Sequence, residues 1–234
     1  GYVEPLAWNS PVGYLRGAPR VALSDSGQLV VGGTLVRGAG DPDLQDLYVL
    51  RLNDDGDADG SFGTNGTHQS HYTIDLWQNT DYKLEELAER RLDARDRVVL
   101  SGNYANALSG TTETYGLIAR LGMADPNANA GFLDPDYSYN GYLLQHIDDV
   151  TGPRRSTVAE DLTLDAQGRA VMIGSLYLET SPISAVCGIS RTLPDGRPDP
   201  SFSGNGQRGI SLIAGGETYC SAVQALPGGE LLVA

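Results

Sequence analysis

Three aspartates, Asp55, Asp57 and Asp59, stand at alternate positions before a glycine in the segment 51–66, RLNDDGDADGSFGTNG. Oxygen ligands at alternate positions, followed by a glycine, are typical of the first half of a calcium-binding loop. A complete loop of this kind has a bidentate glutamate at its twelfth position, where this segment has Gly66. The same spacing also suits a turn between two strands, so the segment allows a calcium site or a structural turn.

A second copy of this segment favours the turn. The segment 191–206, RTLPDGRPDPSFSGNG, matches segment 51–66 at eight of sixteen positions, and Arg197 replaces Asp57. A positive side chain in the middle of the site would repel a calcium ion. Both copies keep a turn glycine, an aspartate suited to capping backbone N–H groups, and a phenylalanine that can anchor the loop. We therefore expect a structural turn and no cofactor, with calcium in the first copy alone as the alternative.

A third, longer copy contains the best candidate for a ligand-contacting surface. Residues 120–141 keep Arg120 and Phe132 as the counterparts of the arginine and phenylalanine, and the sequence DPDYSYNGY fills 134–142. Insertions in repeat proteins map to loops on one face, and tyrosine supplies rigid contact area. Packing of the tyrosines against their own loop is the alternative interpretation. The residues predicted to contact a ligand are Tyr137, Tyr139, Tyr142, Asp134 and Asp136.

Catalytic motifs give little support for an enzyme. His68 and His71 are an odd number of positions apart, so a strand would direct them to opposite faces, and His146 falls in the matching strand of the next copy. We expect no metal site from these histidines. The sequence has no G-x-S-x-G elbow, H-E-x-x-H helix or phosphate-binding loop. A non-catalytic protein is therefore favoured over an enzyme.

The loops recur because the whole chain is repetitive. Four segments each read as a strand, a tight turn and a second strand: 21–33, 90–102, 162–174 and 222–234. Their turn positions carry residues that tolerate positive φ: Gly27, Asp96, Gly168 and Gly229. Strands containing Arg51, Arg120 and Arg191 follow the first three, and a fourth strand follows each of these. We expect four antiparallel strands per repeat, with repeats at about 18–75, 85–148, 157–214 and, in part, 218–234 of one domain, 1–234.

This pattern, with its VVGG-like strand and DGxxDxSFxxNG loop, resembles the delta-sixty repeat family, β-propeller-like repeats found mainly in bacterial secreted or surface proteins. The resemblance covers nearly the whole chain and is weakest in the second copy. It implies four-stranded blades and no particular reaction. Radial packing would cover the faces of such units and leave only short edges exposed. We therefore expect an all-β, β-propeller-like fold of about three and a half repeats, either a fragment of a longer propeller or a ring completed by self-association.

The composition limits the classes of partner that we expect. The chain has 16 basic and 30 acidic side chains and a net charge of −14, so it would repel phosphate backbones and anionic membranes, and nucleic acid is not expected. No apolar run reaches the roughly 20 residues that span a bilayer. Cys187 and Cys220 each lie in an apolar stretch. They could be two buried free thiols or form a disulfide between neighbouring repeats, and we expect the disulfide.

The expected function is a non-catalytic module that is secreted, periplasmic or on the cell surface and binds a protein or a glycan. A secreted propeller hydrolase or lyase with acidic residues near the central channel is one alternative, and a structural subunit of a surface assembly is another. Between the first two repeats, Leu84, Leu87 and Ala88 in the segment 80–90 have the spacing of a short helical turn.

Overall fold

A computed structural model describes residues 13–23, 27–37, 45–62, 71–74, 82–92, 97–106, 113–122, 133–147, 154–178, 184–214 and 216–234. Every regular element in these ranges is a β-strand and none is a helix, which confirms the all-β prediction. The strands are β1 (Gly13–Leu23), β2 (Leu29–Arg37), β3 (Gln45–Leu52), β4 (His71–Ile74), β5 (Tyr82–Leu92), β6 (Val98–Asn106), β7 (Glu113–Leu121), β8 (Tyr142–Gln145), β9 (Arg154–Leu164), β10 (Ala170–Leu178), β11 (Ser184–Thr192), β12 (Gln207–Ile210), β13 (Val223–Ala225) and β14 (Leu231–Val233).

Neighbouring strands pair antiparallel in sets of four. Strands β1–β4 pair in chain order, β5–β8 and β9–β12 do the same, and β13 pairs with β14. We refer to the three sets as units 1, 2 and 3, and to β13–β14 as the terminal hairpin. A single parallel pair, Thr114 of β7 with Ser156 of β9, joins units 2 and 3 into one eight-stranded sheet.

Tight turns join the first two strands of a unit, and glycine supplies their backbone geometry. Gly27, Gly168 and Gly229 have φ of +86°, +74° and +92°, values that L side chains rarely adopt. At the turn of unit 3, the carboxylate of Asp165 accepts the backbone N–H groups of Gln167 and Arg169, each at 3.0 Å. The turn residue Asp96 lies outside the described residues.

The core lies in layers between successive units, because alternate side chains of each strand point to opposite faces. The second strand of unit 2 shows this alternation: Leu100 packs with Val30 of unit 1, whereas Val99 packs with Met172 of unit 3. A third layer joins Val171 of unit 3 to the terminal hairpin. Each fully buried aliphatic side chain of this size contributes roughly 1.5–3 kcal/mol, so the layers hold the units together.

First strands of successive units also lie side by side: β1 contacts β5, β5 contacts β9, and β9 contacts β13. Side chains bridge between units along this row. The amide of Asn103 donates to the backbone oxygen of Ala159 at 3.2 Å and accepts the Ala159 N–H at 2.6 Å. Asp161 of β9 accepts the backbone N–H of Val223 in β13 at 2.8 Å. These bonds hold β9 to β6 of unit 2 and β13 to β9.

Two local features differ from the sequence-based expectations. The segment 80–90, expected to contain a helical turn, lies largely in strand β5. Pairing of β5 with β6 shifts register between Leu84 and Leu87 and again between Leu87 and Arg90. These bulges interrupt the two-residue alternation of a strand and produce an apolar spacing that resembles a helix. In addition, β1, β5 and β9 begin at Gly13, Tyr82 and Arg154, before the expected repeat starts at 18, 85 and 157.

Candidate functional site

An arginine near the end of each third strand contacts an aspartate and an aromatic residue of the loop that follows, and we call each such set a turn cluster. The three sets are Arg51–Asp59–Phe62, Arg120–Asp134–Tyr137 and Arg191–Asp199–Phe202. The arginine Nε donates to the aspartate Oδ2 at 2.7, 2.9 and 2.8 Å in that order. The guanidinium carbon lies 5.0, 4.6 and 4.7 Å from the centre of the aromatic ring, within cation–π range.

The aspartate of each turn cluster also ties the loop to the turn between the first two strands of its unit. Its Oδ2 accepts a second hydrogen bond, from Gln28 at 2.9 Å in unit 1, Arg97 at 3.0 Å in unit 2 and Arg169 at 3.3 Å in unit 3. The backbone oxygen of the same aspartate accepts the N–H of the aromatic residue at 3.0 Å in all three units. Each cluster therefore joins the loop after the third strand to the turn between the first two strands of the same unit.

Each cluster aspartate is held in its ionised form. Burial of the Asp59 carboxyl opposes ionisation, but hydrogen bonds from Ser61 and the charge of Arg51 outweigh burial and lower its pKa. Ser201 and Arg191 lower the pKa of Asp199 against burial in the same way. For Asp134, the Asp136 backbone N–H and the charges of Arg120 and Arg97 outweigh burial and lower the pKa. These carboxylates suit ion pairing better than proton donation.

Two aspartates of segment 51–66, Asp55 and Asp59, have carboxylates that are bonded within the protein. Asp55 accepts the backbone N–H of Asp57 at 2.9 Å and both residues are exposed, whereas the Asp59 carboxylate is taken up by Arg51 and Ser61. A calcium ion bound there would compete with the Arg51 guanidinium for the same carboxylate. Among the described residues, no group of three or more His, Cys, Asp and Glu side chains is placed to hold a metal ion.

Two of the five predicted ligand-contacting residues belong to the turn cluster of unit 2. Asp134 is bonded to Arg120, and Tyr137 is 1% exposed, with its hydroxyl 3.3 Å from Thr192 of β11. Tyr142 is half-buried and packs against the core layer between units 1 and 2. The remaining two residues face solvent: Tyr139 is 86% exposed and Asp136 is exposed. A ligand-contacting surface on this loop would therefore consist of Tyr139 and Asp136.

The aromatic anchor of unit 2 differs from the residue that sequence alignment selects. Tyr137 takes the place that Phe62 and Phe202 occupy in the other clusters, because its N–H bonds to the cluster aspartate and its ring lies under the arginine. The aligned residue, Phe132, lies outside the described residues. Arg120 and Asp134 are fourteen residues apart, against eight for the pair Arg51 and Asp59, so the insertion precedes the aspartate.

The structure pairs Cys187 of β11 with Cys220, just before β13, in a disulfide whose Cα atoms are 5.2 Å apart. The two residues lie in the core layer between unit 3 and the terminal hairpin. The bond thus joins unit 3 covalently to the terminal hairpin.

A cavity of about 710 Å³ lies between the first strands of units 1 and 3 and the terminal hairpin, and we call it the axial cavity. Its lining includes Arg20 and Val21 of β1, Glu160 and Asp161 of β9, and residues on both sides of the hairpin. The hairpin residues are Ser221, Ala222, Val223, Gln224, Leu232 and Ala234. The cavity falls in the size range of small-ligand sites and has convergent polar groups at an apolar wall.

Polar groups in the axial cavity differ in exposure. Arg20, Glu160 and Gln224 are exposed. The Asp161 carboxylate already accepts the backbone N–H groups of Leu162 and Val223, each at 2.8 Å, and therefore fixes the wall. The site was not selected from the sequence. Arg20 and Asp161 occupy matching positions in the repeat, because each stands seven residues before a turn glycine, Gly27 or Gly168.

The histidines do not converge on a metal site within the described part of the chain. The imidazole of His146 is half-buried, and its centre lies 3.9 Å from that of the Tyr115 ring. His71 lies in β4, and His68 is outside the described residues. The described portion also contains no helix of the length and hydropathy that crossing a membrane requires.

Comparison with known proteins gives a fold likeness and no family. No protein-family profile matches the chain, and no curated protein matches it. Among solved structures, the chain is similar to the crystal structure of a protein of unknown function from Dyadobacter fermentans, with a TM-score of 0.51 and 9% sequence identity. The match covers 96% of this chain and 62% of that chain, so this chain spans less than two thirds of the other's length. At this identity the likeness shows the fold alone.

Proposed function

We propose that this chain is a non-catalytic, β-propeller-like binding module of the delta-sixty repeat type, which holds a peptide or protein ligand at its axial cavity. The observation that carries the proposal is the cavity itself, lined by Arg20 and Glu160 from the first strands of units 1 and 3 and by the terminal hairpin. First strands that lie side by side around a shared space match the inner strands of a propeller, which surround its central channel.

The lining of the axial cavity favours a peptide over a glycan. Val21 and Leu232 offer apolar contact, while Arg20 and Glu160 offer charges of both signs, a combination that suits an extended peptide with apolar and charged side chains. None of the ten lining residues is aromatic, whereas aromatic rings provide the usual platform for the apolar face of a sugar. The exposed Tyr139 would be the contact for a glycan on the other candidate surface.

The bonding of the cluster aspartates and Asp161 within the protein supports a non-catalytic function. The aspartates of the three turn clusters have lowered pKa values, and Asp161 is bonded to two backbone N–H groups. A hydrolase or lyase needs an acid whose pKa is raised towards neutrality by an apolar pocket. The cluster aspartates show the opposite shift, so they are poor candidates for general acids.

A secreted, periplasmic or surface location is supported by the disulfide between Cys187 and Cys220, since disulfides persist in oxidising compartments.

Exposed apolar side chains of unit 1 support assembly with a further unit, either to complete a ring or to build a larger structure. Leu23 of β1 and Leu29 of β2 are exposed, at 65% and 37%. Val98, at the position in unit 2 that matches Leu29, is fully buried against unit 1.

A paired ligand screen tests the binding function. The chain is screened against a random peptide library and a glycan array, and every hit is measured again with the variant Arg20→Ala/Glu160→Ala. We expect peptide hits whose affinity falls about tenfold or more in this variant and is unchanged in the matched loop variant Tyr139→Ala/Asp136→Ala. Glycan hits that depend on Tyr139 and not on Arg20 would contradict the assignment to the axial cavity.

A further inference from the structure

The turn-cluster loops of units 2 and 3 end in the same two residues, an asparagine followed by a glycine. The pairs are Asn140–Gly141 in unit 2 and Asn205–Gly206 in unit 3, and the matching pair of unit 1, Asn65–Gly66, lies outside the described residues. Asn–Gly is a reactive sequence, because a glycine has no side chain to hinder attack of its backbone nitrogen on the preceding carboxamide. Asn140 and Asn205 are both exposed, so water reaches each of them.

The attacking nitrogen of the glycine is bonded in the same way in both units. Gly141 donates its N–H to the backbone oxygen of Tyr137 at 2.8 Å, and Gly206 donates its N–H to that of Phe202 at 2.8 Å. The nitrogen becomes reactive only when this hydrogen bond opens and the N–H loses its proton. The fold therefore slows the reaction at both pairs, and a difference between them depends on the asparagines.

The two asparagines differ in both backbone and side chain. Asn140 has a φ of +59°, in the left-handed region that side chains other than glycine rarely adopt, whereas Asn205 does not have positive φ. The carboxamide oxygen of Asn205 accepts the backbone N–H of Gln207 at 2.9 Å, which holds the reactive carbon in place. The Asn140 carboxamide has no hydrogen bond to a described residue. Opening of the loop and rotation of the side chain therefore cost less at Asn140.

We propose that Asn140–Gly141 is a modification site, at which the folded protein loses ammonia and converts Asn140 to aspartate or isoaspartate. The Gly141 nitrogen gives its proton to solvent base and forms a bond to Cγ of Asn140. The Cγ–Nδ2 bond then breaks, the amino group takes up a proton and leaves as ammonia, and a cyclic succinimide remains. One water molecule opens the ring at either carbonyl carbon and returns a proton to the Gly141 nitrogen, which gives the two products.

The isoaspartate product does not fit the loop of unit 2, because it places an additional carbon atom in the main chain before Gly141. Gly141 is buried, and its backbone oxygen accepts the N–H of Arg120 at 2.9 Å. A Cβ on Gly141 would lie 2.6 Å from Cβ of Leu133, so the glycine has no room to shift in that direction. The modification therefore weakens the turn cluster of unit 2. This inference goes beyond the proposed function, because no residue of the axial cavity takes part.

Peptide mapping by mass spectrometry tests the proposal. The complete chain is kept at mildly alkaline pH, either folded or unfolded in guanidinium chloride, and the conversion of each asparagine is followed over time. The unfolded rate gives the intrinsic reactivity of each pair, so each folded rate is divided by it. We expect this ratio to be about fivefold larger for Asn140 than for Asn205, which is the factor that one hydrogen bond contributes. Aged wild-type protein should also contain a fraction with isoaspartate at position 140 and a lower Tm.

The matched control is Asn140→Gly, which tolerates positive φ, lacks the carboxamide and should keep its Tm on ageing. Equal ratios at Asn140 and Asn205, or a larger ratio at Asn205, would overturn the proposal. Conversion of Asn140 that rises in proportion to the globally unfolded fraction, as small amounts of guanidinium chloride are added, would also overturn it, because the folded chain would then be unreactive. A Tm that falls equally on ageing in Asn140→Gly would show that damage elsewhere destabilises the protein.

Discussion

Arg120 and Asp134 lie fourteen residues apart in the sequence, yet the guanidinium Nε and the carboxylate Oδ2 are 2.9 Å apart. Side-chain exposure is 3% for Arg120 and 10% for Asp134. The same guanidinium donates to the backbone oxygen of Pro194 in unit 3. This one arginine therefore closes the long loop of unit 2 and also connects that loop to the next unit.

Loss of the carboxylate from this pair should destabilise the fold. We expect Asp134→Ala to lower the free energy of unfolding by about 3 kcal/mol, because Arg120 is left as a buried charge without its counter-ion. Urea denaturation measures the change. The matched control is Asp195→Ala, which removes an exposed partner of Arg197 and should have a smaller effect. Equal effects at the two positions would show that the buried pair has no special weight.

Acid should unfold the chain through the turn clusters. Asp59, Asp134 and Asp199 have pKa values below the ordinary 3.8, so the unfolded state takes up protons first as the pH falls. Their contribution is fully present above pH 3.8 and is lost as the pH drops through their folded pKa values. Stability measured from pH 6 downwards should therefore decline below about pH 4. The variant Asp199→Asn should show a shallower decline, and an unchanged slope would contradict the assignment.

Tyr137 and Tyr139 should respond in opposite ways to the same substitution. Tyr137→Ala removes a buried ring and should cost about 3–5 kcal/mol of stability, whereas Tyr139→Ala should stay within about 0.5 kcal/mol because Tyr139 is 86% exposed. Tyr137→Phe keeps the ring and loses only the contact with Thr192, at a cost of about 1 kcal/mol. Thermal and urea unfolding measure all three. A large loss at Tyr139 would show that its ring is covered.

Two glycines with similar backbone angles should differ in their tolerance of alanine. Gly196 and Gly204 have φ of +81° and +87°, so each Gly→Ala substitution brings a backbone strain of roughly 1 kcal/mol. At Gly196 the new Cβ would also lie 2.8 Å from the Ser138 nitrogen, whereas at Gly204 it meets nothing within 4 Å. We expect Gly196→Ala to lose at least twice as much stability as Gly204→Ala. Similar losses would show that the loop of unit 2 moves aside without cost.

The strands could be predicted where local chemistry determines them. Gly168 and Gly229 mark their turns because positive φ favours glycine, and the residues around Val171 form a short run that is buried on both faces of its strand. Only the end of strand β5, in segment 90–102, could be recognised, because two bulges shift the pairing of its earlier part with β6 and disrupt the apolar alternation on which recognition depends. A bulge depends on how a strand pairs with its neighbour, so the sequence of one strand does not show it directly.

Site residues were harder to predict, because their roles depend on contacts between units. Tyr137 looked available for a ligand since DPDYSYNGY is polar and aromatic, but Thr192 and Gly196 of unit 3 cover its ring. Residue type also pointed to Phe132 as the loop anchor, since the length of the insertion does not show on which side of the anchor it falls. Arg20 and Glu160 are about 140 residues apart in the chain, and only the packing of first strands brings them to one cavity.

The disulfide between Cys187 and Cys220 determines how the protein would carry a mechanical load. Tension applied at Ala234 would peel the short hairpin away, since only three residue pairs hold β14 to β13. Extension would then stop at Cys220, and the force would pass through the sulfur atoms into β11, which β10 holds along nine residue pairs. The thirty-two residues between the two cysteines, which include β12, would not lengthen the tether until the bond is reduced, so this segment would be shielded from the pull.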